Sequence, residues 1–233
     1  MRCFLFFVLS IMIYSNLVKA DDAAPNLLND ALSYYENRGA DFSEIKAYEK
    51  FSNLAKLGDI KSKVMSFLVF YEFTDSLSEK AHESVNYLIE AARYGDHEAQ
   101  YFLGFIINHG LFVRHDIEIA NKWLKSSADQ GNRQASVLLG VNLTTKFLNE
   151  LSHDSEGALA TMDSQVILGY LRHAEDINNA DGILALATII FVKERNFTEA
   201  KRLLLKADKL GQDLAKEFLK DFEEQYRLES KVK

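Results

Sequence analysis

The chain repeats itself, and that repeat limits what it can fold into more than any other feature. Tyr87 to Gly104 reads YLIEAARYGDHEAQYFLG, and Trp123 to Gly140 reads WLKSSADQGNRQASVLLG. In both, an aromatic-Leu pair precedes small residues, a Gly, a polar residue, an Ala and a closing Leu-Gly. The matching glycines, Gly95 and Gly131, stand 36 residues apart. Self-similarity at this spacing marks stacked supersecondary units, each leaving an apolar face for its neighbour to cover. Fainter copies carry Gly58-Asp59, Asn178-Asn179 and Gly211-Gln212 at the same place. The interval from Gly131 to Asn178 is 47 residues, so about eleven extra residues sit within Asn149 to Asp163. That insertion reads as an elongated loop or a helix extension.

Each recurring residue has a physical role. The Gly ends a helix in the left-handed conformation that a side chain normally forbids. Asn178 is a fitting substitute, because Asn tolerates that conformation better than most. The next residue is Asp59, Asp96, Asn132 or Asn179, all strong helix N-caps, so each pair stops one helix and starts the next. Ser43, Asp116, Asp163 and Asn196 supply the other set of caps, and Ser76 with Glu79 has the spacing of a capping box. Ala91, Ser127, Ala174 and Ala207 let helices approach closely, while Tyr87, Trp123, Tyr170 and Leu203 fill the space between them. One proline in 233 residues is consistent with helices throughout.

These residues resemble the Sel1-like repeat, a relative of the tetratricopeptide repeat. Ala99, Leu103, Gly104 and Gly110 fit its first helix and turn, and Asp116, Ala120, Trp123, Ser127 and Gly131 fit its second. Weaker copies extend over 26–94 and 145–229. The resemblance implies an all-α fold: an α-solenoid of about five antiparallel helix pairs, at about 26–58, 59–95, 96–131, 132–178 and 179–211. A C-terminal capping helix is expected over about 213–229. The strongest repeats are 59–95, 96–131 and 132–178, within one repeat domain over 21–233.

In tetratricopeptide-type stacks the first helix of each pair lines the concave face. Counting from Leu103-Gly104, that resemblance puts Glu98, Tyr101, Phe105, Asn108 and His109 on it. The same offsets from Leu139-Gly140 give Gln134, Val137, Val141, Thr144 and Thr145. Aromatic anchors with polar neighbours suit a peptide or partner helix. The other reading is that Tyr101 and Phe105 pack between adjacent pairs, as aromatic stripes at helical spacing commonly do.

Residues 1–20 have the layout of a secretory signal: Arg2, the apolar run Cys3 to Tyr14, then Val18-Lys19-Ala20 ahead of Asp21. Cleavage is expected after Ala20, giving a periplasmic or secreted bacterial protein. The apolar run is short of the about 20 residues a spanning helix needs. Phe67 to Phe73 and Leu186 to Val192 are shorter still, so no membrane insertion is expected after cleavage. Without Arg2 and Lys19, 25 basic residues face 34 acidic ones, a formal charge of −9. A nucleic-acid partner is not expected of so acidic a chain.

The only cysteine, Cys3, lies in the leader, so neither a disulfide nor thiol chemistry is expected of the mature chain. His82-Glu83 and His97-Glu98 open like the zinc-protease motif, but Asn86 and Tyr101 stand where the second His belongs. His109 and His115 flank a turn beside Asp116, too few ligands for an expected metal site. No phosphate loop, dinucleotide glycine pattern or nucleophile elbow occurs. The expected function is therefore a non-catalytic scaffold without cofactor, catalytic residue or metal, binding a protein or peptide. The resemblance also implies an alternative, an envelope hydrolase or a peptidoglycan- or penicillin-binding protein. The relatives that suggest it are rich in cysteine, which this chain lacks after its leader.

Overall fold

The Gly-Asp and Gly-Asn steps fold as their chemistry requires. Gly58, Gly95, Gly131 and Gly211 are left-handed, with φ of 99°, 93°, 92° and 87°, and Asn178 takes the same role at 49°. The side chains of Asp59, Asp96, Asn132 and Asn179 then accept the backbone N–H groups of Ser62, Ala99, Ala135 and Gly182. Ser43, Asp116 and Asn196 cap in the same way, from Lys46, Ile119 and Glu199, and Asp163 caps from Gln165. Each such cap is worth about 1 kcal/mol.

The computed structural model describes residues 25–39, 41–154, 157 and 163–232. The leader, residues 1–20, lies outside them. The described residues form helices and no strand: α1 (Pro25–Glu36), α2 (Glu44–Lys56), α3 (Ile60–Glu72), α4 (Ala81–Arg93), α5 (His97–His109), α6 (Ile117–Asp129), α7 (Arg133–His153), α8 (Ser164–Leu171), α9 (Ala180–Ile189), α10 (Phe197–Lys209) and α11 (Ala215–Val232). They fall into two compact units divided between His115 and Asp116.

In the first unit each of α1 to α5 packs on its neighbour in sequence. Tyr48, Phe51, Phe67, Phe70, Leu88 and Ile106 are fully buried there, each such side chain contributing roughly 1.5–3 kcal/mol. Arg38 makes a forked ion pair with Glu72 at 2.8 and 2.9 Å and lies over the rings of Tyr35, Phe42 and Phe73. The capping box expected at Ser76 and Glu79 does not form. α4 begins at Ala81 after a 3-10 turn over Ser78–Lys80, and no side chain caps either start. The physical reason is Leu77: it is buried, and holding it there gives the chain a tight turn in which Glu79 belongs to the 3-10 turn itself.

In the second unit α6 to α11 pack in sequence, and α7 also packs on α9. Val137, Ala174, Ile183, Ala187, Leu203, Leu204 and Phe222 form one core cluster, and Phe147, Ile167, Leu171, Ala185 and Ile189 another. α11 closes the first: Phe222 stacks on Phe191 at 3.8 Å and Tyr226 on Phe197 at 4.4 Å. α8 ends at Leu171, and turns carry the chain on to Asn178. α9 runs into a π turn, Ile190–Glu194, that ends at Arg195 with φ 54°, a left-handed position filled without glycine. The insertion is partly a helix extension, since α7 continues through His153. Most of the remainder, up to Asp163, lies outside the described residues.

The small residues behave as their positions predict: Ala91, Ser127, Ala174 and Ala207 are fully buried. The large ones differ. Tyr87 and Leu203 are buried, whereas Trp123 and Tyr170 are only half-buried. On α6 the smaller neighbour Leu124 takes the central place, leaving the indole at the margin.

Candidate functional site

α5 starts at the Asp96 cap and ends at Gly110, left-handed at φ 63°. Its core face is Ala99, Phe102, Leu103, Ile106 and Ile107. What remains accessible is a stripe at i, i+3, i+7, i+10 and i+11: Glu98, Tyr101, Phe105 and Asn108 partly exposed, and His109 exposed. The first-helix stripe expected from the sequence is thus the accessible stripe of α5.

The stripe is aromatic at its centre and continuous with α3. Phe105 lies 6.2 Å from Tyr101, 4.4 Å from His109 and edge-on to Tyr71 of α3 at 6.4 Å. Tyr71 meets Phe112 at 6.2 Å, and Phe112 meets Phe70 at 5.0 Å. Phe112 is 44% exposed and holds a positive φ of 59°, a conformation that costs a non-glycine residue about 1–2 kcal/mol. His109 Nδ1 lies 2.9 Å from the Phe105 carbonyl oxygen, which can only accept, so Nδ1 carries the proton. Burial pushes the Tyr101 phenol well above its usual range, and Glu98 and Tyr71 add to the shift. Tyr101 therefore packs against its neighbours while part of its ring stays accessible.

The second stripe is offset. Gln134 is partly exposed on the first turn of α7, and Val141 and Thr145 are accessible. Val137 is buried in the core cluster that α9 completes, because α9 packs across this side of α7. Thr144 is 3% exposed and its Oγ1 donates to the Gly140 carbonyl at 2.8 Å, so it offers nothing to a partner.

Sequence reasoning missed a cavity of about 760 Å³ between α6 and the far end of α7. Ile117 and Glu118 line it from α6, and Lys146, Asn149, Glu150 and His153 from α7. Its only trace in the sequence is a row of polar residues at helical spacing running into the insertion. Among the described residues no three His, Cys, Asp or Glu side chains are grouped to hold a metal, and no helix is long and apolar enough to cross a membrane.

Helices in tandem, with four of the five recurring left-handed stops followed by an Asp or Asn start, define an all-α helical-repeat protein. Residues 97–132, which span α5 and α6, match the family model of the Sel1 repeat. The fold is similar to the crystal structure of a Sel1 repeat protein from Oxalobacter formigenes, with a TM-score of 0.57 and 16% identity over 92% of each chain. It is also similar to c5321, a protective antigen present in uropathogenic Escherichia coli strains displaying an SLR fold. There the TM-score is 0.50 and the identity 18%, covering 84% of this chain and 48% of that one. Among curated proteins no relative matches the sequence. The chain carries a Sel1 repeat and has the helical-repeat fold of Sel1 proteins.

Proposed function

We propose that this protein is an exported, non-catalytic interaction scaffold that binds a protein or peptide partner through the accessible stripe of α5. The observation that carries this reading is the stripe itself. Phe105 and Tyr71 offer ring edges, Glu98, Asn108 and His109 offer hydrogen-bonding groups, and the helix beneath is fixed by its buried face. Rigid aromatic anchors surrounded by polar groups are the usual make-up of a binding hot spot. The exported address is carried by the leader-like residues 1–20. It predicts a mature protein that begins at Asp21 and fractionates with the periplasm or the medium.

The test is photo-crosslinking in the native compartment with p-benzoylphenylalanine at position 105, followed by mass spectrometry. Asn108→Ala should lower capture of the crosslinked partner with little change in melting temperature. Tyr101→Phe, which keeps the packed ring, should leave the fold intact, whereas Tyr101→Ala should cost stability as well as capture. Unaltered capture by Asn108→Ala and Tyr101→Ala together would remove this face. Covalent labelling by a penicillin probe would favour a penicillin-binding protein instead.

A further inference from the structure

α7 has 21 residues where α6, the helix it packs against, has 13. At 1.5 Å per residue the surplus projects roughly 12 Å beyond its partner. One polar stripe, Asn142, Lys146, Asn149, Glu150 and His153, at i, i+4, i+7, i+8 and i+11, runs from the part of α7 opposite α6 onto the overhang. It faces the first turn of α6, where Ile117 is 37% exposed beside Glu118, and the space between is the cavity of about 760 Å³.

Several charged side chains elsewhere in this unit are paired. Glu175 pairs with Arg202 and Lys206, and Lys201 pairs with Glu223. In the cavity, Glu118, Lys146, Asn149, Glu150 and His153 have no side-chain partner among the described residues. At the inner end Asn142 Nδ2 donates to Asn121 Oδ1 at 2.6 Å, which fixes both carboxamides. The lining carboxylates Glu118, Glu150 and Asp154 outnumber the one ammonium, Lys146.

The geometry points to a cleft for an extended peptide segment carrying lysine or arginine, and this assignment rests on reading the protein as a binding scaffold. A carboxamide presents both a donor and an acceptor, the same pair that a peptide unit presents, so Asn149 and the Asn121–Asn142 pair suit a main chain. Glu118 and Glu150 supply charge-assisted acceptors for an ammonium or guanidinium head. Ile117 gives apolar surface for the aliphatic stem of such a side chain. From Asn142 to His153 the helix rises about 16 Å, the length of roughly five residues of extended chain. The net negative lining attracts basic segments and repels acidic ones.

The test is fluorescence polarisation with fluorescein-labelled Gly-Ala-Lys-Ala-Lys-Ala-Gly, and with its Glu-for-Lys counterpart, on the whole chain. Saturable binding of the lysine probe is expected, at least tenfold tighter than the glutamate probe. Glu150→Gln and Glu118→Gln should each weaken it about five- to tenfold, the loss of one charge-assisted hydrogen bond. Thr145→Trp should block the cleft. Glu217→Gln on α11 removes the same charge elsewhere and should leave binding unchanged; circular dichroism melts confirm that each variant folds. Equal binding of the two probes, absence of saturable binding, or a loss in Glu217→Gln as large as that in Glu150→Gln would overturn the assignment. Crosslinking at Phe105 reads the scaffold function independently, so the cleft can fail while the scaffold reading stands.

Discussion

Gly182 and Gly169 are both helical glycines of the second unit, and their replacement by Ala should have opposite effects. Ala is favoured over Gly inside a helix by roughly 0.5–1 kcal/mol. At Gly169, exposed on α8, an added Cβ meets nothing within 4 Å, so Gly169→Ala should stabilise by about that amount. At Gly182, on the first turn of α9, an added Cβ would lie 2.4 Å from Val137 Cγ1 and 2.9 Å from Ala174 Cβ. Neither neighbour yields easily. Val137 is a stiff, fully buried β-branched residue of α7, and the Ala174 methyl is fixed to its backbone. Overpacking of this kind costs about 1–3 kcal/mol, which outweighs the helix gain and leaves Gly182→Ala destabilising by about 1–2 kcal/mol. Thermal melts read both, at about 2–4 °C per kcal/mol for a chain of this size. Val137→Ala should then relieve the clash. The double variant should be more stable than the sum of the single changes predicts, by more than the ~0.5 kcal/mol scatter of independent sites. If Gly182→Ala matches the parent, or the cycle shows no coupling, the close approach of α9 to α7 is wrong.

Three further expectations follow from the same reasoning. Gly95 holds φ 93° with open space around its missing Cβ, so the cost of replacement there is conformational: by melting temperature, Gly95→Asn should be milder than Gly95→Val, as the native Asn178 suggests. Leu124→Ala, at a fully buried site, should cost about 2–5 kcal/mol in denaturant melts, and Trp123→Ala, at a half-buried one, should cost less than the 3–5 kcal/mol of a fully buried aromatic. Hydrogen bonds from Arg202 and then Lys206 hold the Glu175 carboxyl down at about 2, so its stabilisation is complete above the ordinary carboxylate range near 4.5 and is lost as pH falls towards 2. Glu175→Gln should be less stable than the parent at pH 6, by on the order of 1–2 kcal/mol after solvent screening, with the gap closing towards pH 2.

The helix boundaries were legible because backbone chemistry dictates them. A left-handed residue followed by an Asn or Asp cap has few alternatives, and four of the five copies of that step carry both parts. Ser76 and Glu79 misled because capping-box spacing is a local signal, and the burial of Leu77, a tertiary demand, set that turn instead. Trp123 misled for a related reason. Repeat alignment gives equivalent positions but not the degree of burial, and the adjacent Leu124 fills the core there. The α5 stripe was legible as an offset from Leu103-Gly104. The same offset failed on α7, because the stripe left open depends on which helix packs across it. Val137 is covered by the α9 cluster, and Thr144 turns its hydroxyl back to Gly140.

If the chain binds a partner as proposed, its specificity lies outside the stacking positions. Positions that recur at the repeat period are spent on stacking: Ala91, Ser127, Ala174 and Ala207 are all fully buried and cannot meet a partner. What distinguishes one repeat protein from another must lie where the period is free or broken. The accessible stripe of α5 varies between repeats: Glu98, Tyr101, Phe105 and Asn108 differ from Gln134, Val137, Val141 and Thr144 at the same offsets. The insertion after Gly131 is the break. Its first residues continue α7 past the helix it packs on, and that continuation brings Asn149, Glu150 and His153 over Ile117. A repeat of ordinary length would end near Thr145, as α5 does at His109, and would present none of them. The longest interval in the repeat is therefore also the place where the extended α7 and the first turn of α6 enclose a cavity.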